Sequence, residues 1–176
     1  SRDITEPGQL AGLKIRTIQS PIYVKAVELM GASPTPMAFG EVYTSLQTGV
    51  IDGYEHDAST TLAQRFFEVA HYMVHTRHIA GVIGLWGSTA SLEQLPRDVL
   101  AVLERAARGA SASQRAMGAR EDLRATSELR ERGMTIRDID NTAFREPAER
   151  LWEQQQAENR KRHSKFLRRL TELDLK

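Results

Sequence analysis

From Pro96 to Gly133 the chain keeps one helical period, with Val99, Leu103, Ala106, Ala110, Ser113 and Met117 recurring at three- to four-residue intervals. A stripe of that length has to lie on something, and a small sheet offers too little surface to cover it. Gly109 and Gly118 interrupt it. Each glycine costs about 1 kcal/mol relative to alanine in a helix, which predicts a bend or a close packing contact at those points.

Ahead of this helix the pattern is that of interleaved strands and helices. Leu13-Lys-Ile-Arg-Thr-Ile18 alternates, with Leu13 and Ile15 on one face and Lys14 and Arg16 on the other, as a strand does. Ser20-Pro21 opens a helix in which the serine can cap free amides, and Tyr23, Ala26, Val27 and Met30 form its apolar stripe up to Gly31. Pro34 and Pro36 force an extended passage into Met37-Ala-Phe39. A short helix over Gly40 to Thr48 follows, with Glu41 at its positive end and Gly49 able to end it. Val50-Ile51 reads as a buried strand and Asp52-Gly53 as a turn. The polar cluster Glu55-His56-Asp57 then stands at the end of a core element, where ligand sites of open α/β sheets usually lie. Thr60 to Val69 reads as a helix and Gly81 to Trp86 as a buried strand.

The expected fold class is therefore α/β. Residues 1–9 form a linker, 10–95 an α/β lobe, 96–133 the long helix, and 134–176 a tail with a strand at Met134-Thr-Ile-Arg137 and helices over Thr142 to Leu173, Pro147 marking a start or a kink. Between Glu153 and Lys165 this tail has almost no apolar residue beyond Ala157, so it buries no face in its own domain. The polar first nine residues, with no apolar run, read as a linker and not as a natural beginning. The sequence thus reads as part of a larger molecule.

Composition excludes several functions. With 176 residues, a net charge of +1 and no cysteine, the chain has no global field towards nucleic acid, no disulfide and no thiolate chemistry. The basic residues Arg160-Lys-Arg-His163, Arg168 and Arg169 are interleaved with Glu149, Glu153, Glu158, Glu172 and Asp174, the mark of a solvated helix face. His71, His75 and His78 have a spacing that could hold zinc on a helix, but Tyr72-Met-Val-His-Thr reads as a strand, which scatters them. No triad order, phosphate loop or zinc-protease string is present, and neighbours such as Glu55 and His56 in extended chain point to opposite sides. No enzyme activity, cofactor or metal is expected.

The strings Leu13-Lys-Ile-Arg16, Gly31-Ala-Ser-Pro-Thr-Pro-Met-Ala-Phe39, Glu41-Val-Tyr43, Leu46-Gln47, Asp52-Gly53 and Glu55 together resemble the solute-binding proteins of TRAP transporters, the DctP-type family. The resemblance implies the second lobe of a two-lobed periplasmic binding protein fold, with a long connecting helix and C-terminal helices that pack on a first lobe without counterpart here. It implies capture of a small organic carboxylate in the periplasm for the membrane subunits of the transporter. Arg16 matches the arginine that pairs with the ligand carboxylate, a role suited to a planar fork of donors that keeps its charge when desolvated. Gln19 matches a polar contact and Phe39 an aromatic on the ligand's apolar face. His56 stands where the family commonly has asparagine. With Asp57 beside it, this titratable donor favours a sugar acid such as a uronate over a plain dicarboxylate.

Trp86 is a further stacking candidate, although tryptophan in an apolar strand is more often core. Glu55 and Asp57 could instead pair with nearby bases, and Glu55 could orient Arg16 or bind a cation in place of touching ligand. The alternative to a transport role is a structural half whose uncovered helices associate with another copy as a swapped homo-oligomer.

Overall fold

The computed structural model describes residues 3–79, 81 and 83–162. Contacts group the chain into two units, residues 1–55, 68–79 and 135–176 in the first and residues 56–67 and 80–134 in the second. This grouping divides the lobe expected over 10–95. The reason is that the helix following Asp57 packs against the long helix of the second unit.

In the first unit β1 (Lys14–Thr17) is the central strand of a parallel sheet, between β2 (Ser33–Pro36) and β3 (Gly53–Tyr54). The helix α1 (Pro21–Leu29) carries the chain from β1 to β2, and a single-turn 3-10 segment, Phe39–Glu41, leads into α2 (Val42–Gln47) before β3. Ser20 does not cap α1 with its hydroxyl; its carbonyl accepts from the amides of Tyr23 and Val24 instead. Glu41 places its carboxylate at the start of the turn, where it accepts from the Ala38 amide at 3.2 Å. Gly49, at φ 72°, ends the following helix in the left-handed conformation that glycine adopts without strain.

The strand expected at Val50-Ile51 is displaced to Gly53–Tyr54. Asp52 explains the shift, because its amide donates to the Lys14 carbonyl while its carboxylate accepts from the Lys14 amide, so pairing with β1 begins there. Ile51 is a buried anchor before the strand and Val50 is 52% exposed. The core of the unit gathers Val27, Met30, Ala32 and Phe144, with Ile4, Leu10, Ile15 and Ile139 against it. Phe144 comes from α6 (Thr142–Arg162), which packs on α1 and runs through the buried Pro147 without ending. The remainder of the helix expected to Leu173, and the side chains of the basic residues from Arg160 on, lie outside the described residues. Two further strands, β4 (Tyr72–His75) and β5 (Thr135–Asp138), pair in parallel, with Tyr72 opposite Thr135 and His75 opposite Asp138.

In the second unit α3 (Ala58–Ala63) starts two residues earlier than the apolar period suggests, because Asp57 caps it. It also stops early, and Arg65 at φ 57° turns the chain before a 3-10 segment at Phe66–Glu68. After α4 (Thr89–Leu92), α5 (Arg97–Glu131) is the expected long helix, 35 residues in length. Its only buried positions among the described residues are Ala125, Thr126 and Leu129; α3 packs on this helix, and the Ala58 amide donates to Asp122 at 3.2 Å. The predicted packing contact at Gly109 is absent among the described residues, since an added Cβ there would meet nothing within 4 Å.

The buried strand expected over Gly81 to Trp86 is not formed in its described residues, where Ile83, Leu85 and Trp86 are exposed. β4 pairs with β5, and the segment after it has no strand partner among the described residues. No described helix is long and apolar enough to cross a membrane.

Candidate functional site

Arg16 is the residue around which the first unit's polar chemistry is built. As the third residue of the central strand it stands between Thr35 of β2 and Tyr54 of β3, and this double flanking leaves it only 3% exposed. Alternation had placed it opposite Ile15 and beside Lys14, yet Arg16 is buried where Lys14 is exposed. Nη2 of the guanidinium donates to the Met37 carbonyl at 3.1 Å. Nε is buried and has no hydrogen-bond partner among the described residues. A buried N–H donor of this kind costs roughly 1–3 kcal/mol when left unmatched. The guanidinium carbon lies 5.7 Å from the centre of the Phe39 ring, within cation–π range, and Phe39 remains 38% exposed. Burial pushes the Arg16 pKa below its ordinary value, and the Glu55 carboxylate acts in the opposite direction. An arginine so placed stays protonated, so the site holds a desolvated cation with donor capacity to spare.

Glu55 reaches this neighbourhood because it directly follows Tyr54, the strand partner of Arg16, and it is partly buried. Arg16, Phe39 and Glu55 are thus brought together within one unit. Gln19 belongs to the same unit and is exposed just beyond β1.

His56 and Asp57 form a separate group in the second unit. Asp57 is the N-cap of α3: Oδ1 accepts from the Thr60 amide at 2.7 Å and from the Ser59 hydroxyl at 2.6 Å, and Oδ2 accepts from the Thr60 hydroxyl at 3.0 Å. Nδ1 of His56 lies 2.8 Å from Asp57 Oδ2 and 3.1 Å from the Asp57 amide nitrogen. With a proton on Nδ1 it donates to the carboxylate; without one it accepts from the amide. Burial raises the Asp57 pKa, but the hydrogen bonds from Ser59, the Thr60 amide, His56 and the Thr60 hydroxyl outweigh it and bring the group down to about 2. The capping role escaped the sequence reading, although the string Asp57-Ala-Ser-Thr60 ahead of an apolar helix carried its signal. The Met37 carbonyl also escaped it, because a backbone acceptor has no residue signature.

Trp86 is 89% exposed, which removes the reading of it as a core residue. The three histidines take separate tasks. His75 meets Asp138 at 2.9 Å, His78 meets the Thr76 hydroxyl at 2.6 Å, and His71 is exposed ahead of β4. Among the described residues no group of three or more histidines, aspartates and glutamates is placed to hold a metal ion.

Comparison with known proteins places this geometry in a family. Residues 1–159 match the bacterial extracellular solute-binding proteins of family 7, DctP. The 2,3-diketo-L-gulonate-binding periplasmic protein YiaO of Escherichia coli is 34% identical over 151 residues, 81% of this chain and 46% of that protein. A TRAP periplasmic solute binding protein from Sulfitobacter, solved with bound β-D-galacturonate, superposes with a TM-score of 0.82 at 28% identity, over 91% of this chain and 53% of its own. Another from Ochrobacterium anthropi, solved with bound L-fuconate, gives 0.80 at 32% identity, over 88% and 51%. The chain spans about half the length of the relatives it matches.

Proposed function

Because the chain belongs to the bacterial extracellular solute-binding proteins of family 7, a family of binding proteins and not of enzymes, we propose that it serves a TRAP transporter by capturing a small organic carboxylate in the periplasm. The ligand class is a sugar acid such as a uronate. The observation that carries this reading is the buried guanidinium of Arg16, whose Nε has no partner among the described residues and whose neighbour is the half-exposed ring of Phe39. A carboxylate arriving there supplies the missing acceptor and a counter-charge at once, and a planar fork of donors fits it bidentately. The similar proteins solved with galacturonate and fuconate support the choice of ligand class. Gln19 and Glu55 are the polar contacts of the first unit in this proposal. Binding then shifts an open–closed equilibrium that the membrane subunits read.

The test is a thermal-shift series on the full-length protein with uronates, aldonates, dicarboxylates and 2-oxo acids. A ligand at a hundredfold excess over its Kd stabilises by about 2.7 kcal/mol, enough to raise the melting temperature by several degrees. We expect that rise with uronates or aldonates and its loss in Arg16→Ala. A series without any shift would end the proposal.

A second reading has its own observation. Val99, Val102, Leu103 and Met117 of α5 are exposed, and in the 176-residue chain taken alone such a helix is covered by a second copy.

A further inference from the structure

Two of the groups around the Arg16 guanidinium, the Met37 carbonyl and the Phe39 ring, flank a single residue, Ala38. Met37 is tied to the central strand, because its amide donates to the Thr17 carbonyl at 3.2 Å while its own carbonyl accepts from Arg16 Nη2 at 3.1 Å. Phe39 opens the 3-10 segment Phe39–Glu41, a single turn that is too short to hold its own shape. What holds it is Glu41. The Glu41 amide donates to the Ala38 carbonyl at 3.2 Å and Oε2 accepts from the Ala38 amide at 3.2 Å, so one residue binds both polar groups of Ala38. Glu41 and Ala38 are both exposed. Water can replace a lost acceptor there, but it does not fix the direction of the backbone on either side.

We propose that Glu41 is a positioning residue for ligand binding, which clamps Ala38 and so sets the Met37 carbonyl and the Phe39 ring against the guanidinium before a ligand arrives. The inference rests on the reading of Arg16 as the carboxylate anchor. An anchor held in advance binds without having to be ordered, and a site that is competent for only a fraction of the time loses affinity by that fraction.

Calorimetric titration of the full-length protein with D-galacturonate is expected to give Glu41→Ala a Kd about tenfold above that of the wild type. Its melting temperature without ligand is expected to fall by less than about 4 °C. Removing an exposed negative charge would by itself favour an acidic ligand, so weaker binding reports on geometry. Glu41→Gln keeps the acceptor without the charge and is expected to bind within about twofold of the wild type. The Arg16 Nε–H resonance, assigned from its absence in Arg16→Ala, reads the guanidinium directly in the protein without ligand. It is expected to move towards the position of a free arginine in Glu41→Ala and to stay in place in Glu41→Gln. An unchanged Kd in Glu41→Ala, an equal loss in Glu41→Gln, or a resonance that does not move overturns the role of Glu41. So does a wild-type Ala38 amide that exchanges with deuterium as fast as one in an unstructured chain, a measurement that needs no variant. If Arg16→Ala loses galacturonate binding, the anchor reading survives each of these results. If the wild type does not bind galacturonate, or Arg16→Ala binds it as well as the wild type, the anchor reading fails and the role of Glu41 falls with it.

Discussion

Two side chains show how much local chemistry decides here. Arg16 was legible as a residue type in a recurring string, but its burial was not, because alternation assigns a residue to a face of a strand without saying what covers that face. Asp57 shows the opposite case. The sequence cluster suggested a polar contact, and the folded chain gives its carboxylate to the amide and hydroxyls at the start of α3. Removing that cap in Asp57→Ala is expected to destabilise the protein by about 1 kcal/mol in urea titrations. The pH dependence follows from the lowered pKa. The folded carboxyl titrates at about 2 and the ordinary group at 3.8. The contribution of Asp57 to stability is therefore complete above about pH 4 and is lost as pH falls towards 2. Comparing wild type with Asp57→Asn by chemical denaturation across that window should show a steeper acid loss in the wild type. Parallel curves would mean that the hydrogen bonds around Asp57 do not survive in solution.

Elements with a strong period were readable from residues alone, and those defined by pairing were not. α5 and α1 were found because apolar residues recur at helical spacing and proline or glycine marks their ends. β3 was misplaced because Asp52, not the apolar pair before it, makes the first bonds to β1. The segment from Gly81 to Trp86 has strand composition without a strand partner among the described residues, and composition does not supply one. The open surroundings of Gly109 carry a direct consequence. Gly109→Ala in the 176-residue chain should stabilise it by about 1 kcal/mol, since alanine loses less backbone entropy in an exposed helix. A destabilised variant would reveal a neighbour packed against that position.

Much of α5 is left uncovered by the described residues, and the exposed Val99, Leu103 and Met117 make association the expected behaviour of the 176-residue polypeptide. Light scattering at micromolar concentration should show a mass above that of one chain, and the double variant Leu103→Glu and Met117→Glu should return it to the monomer. A wild-type monomer would sink the swapped assembly. The family and the helices α1 and α5 could be read from the residues, because helical period, turn chemistry and short recurring strings are local properties of a chain. The displaced β3, the allotment of residues 56–67 to the unit of the long helix, and the burial of Arg16 with one donor unmatched among the described residues could not be read that way. Each of them depends on which distant segment lies alongside, and that is a matter of tertiary packing.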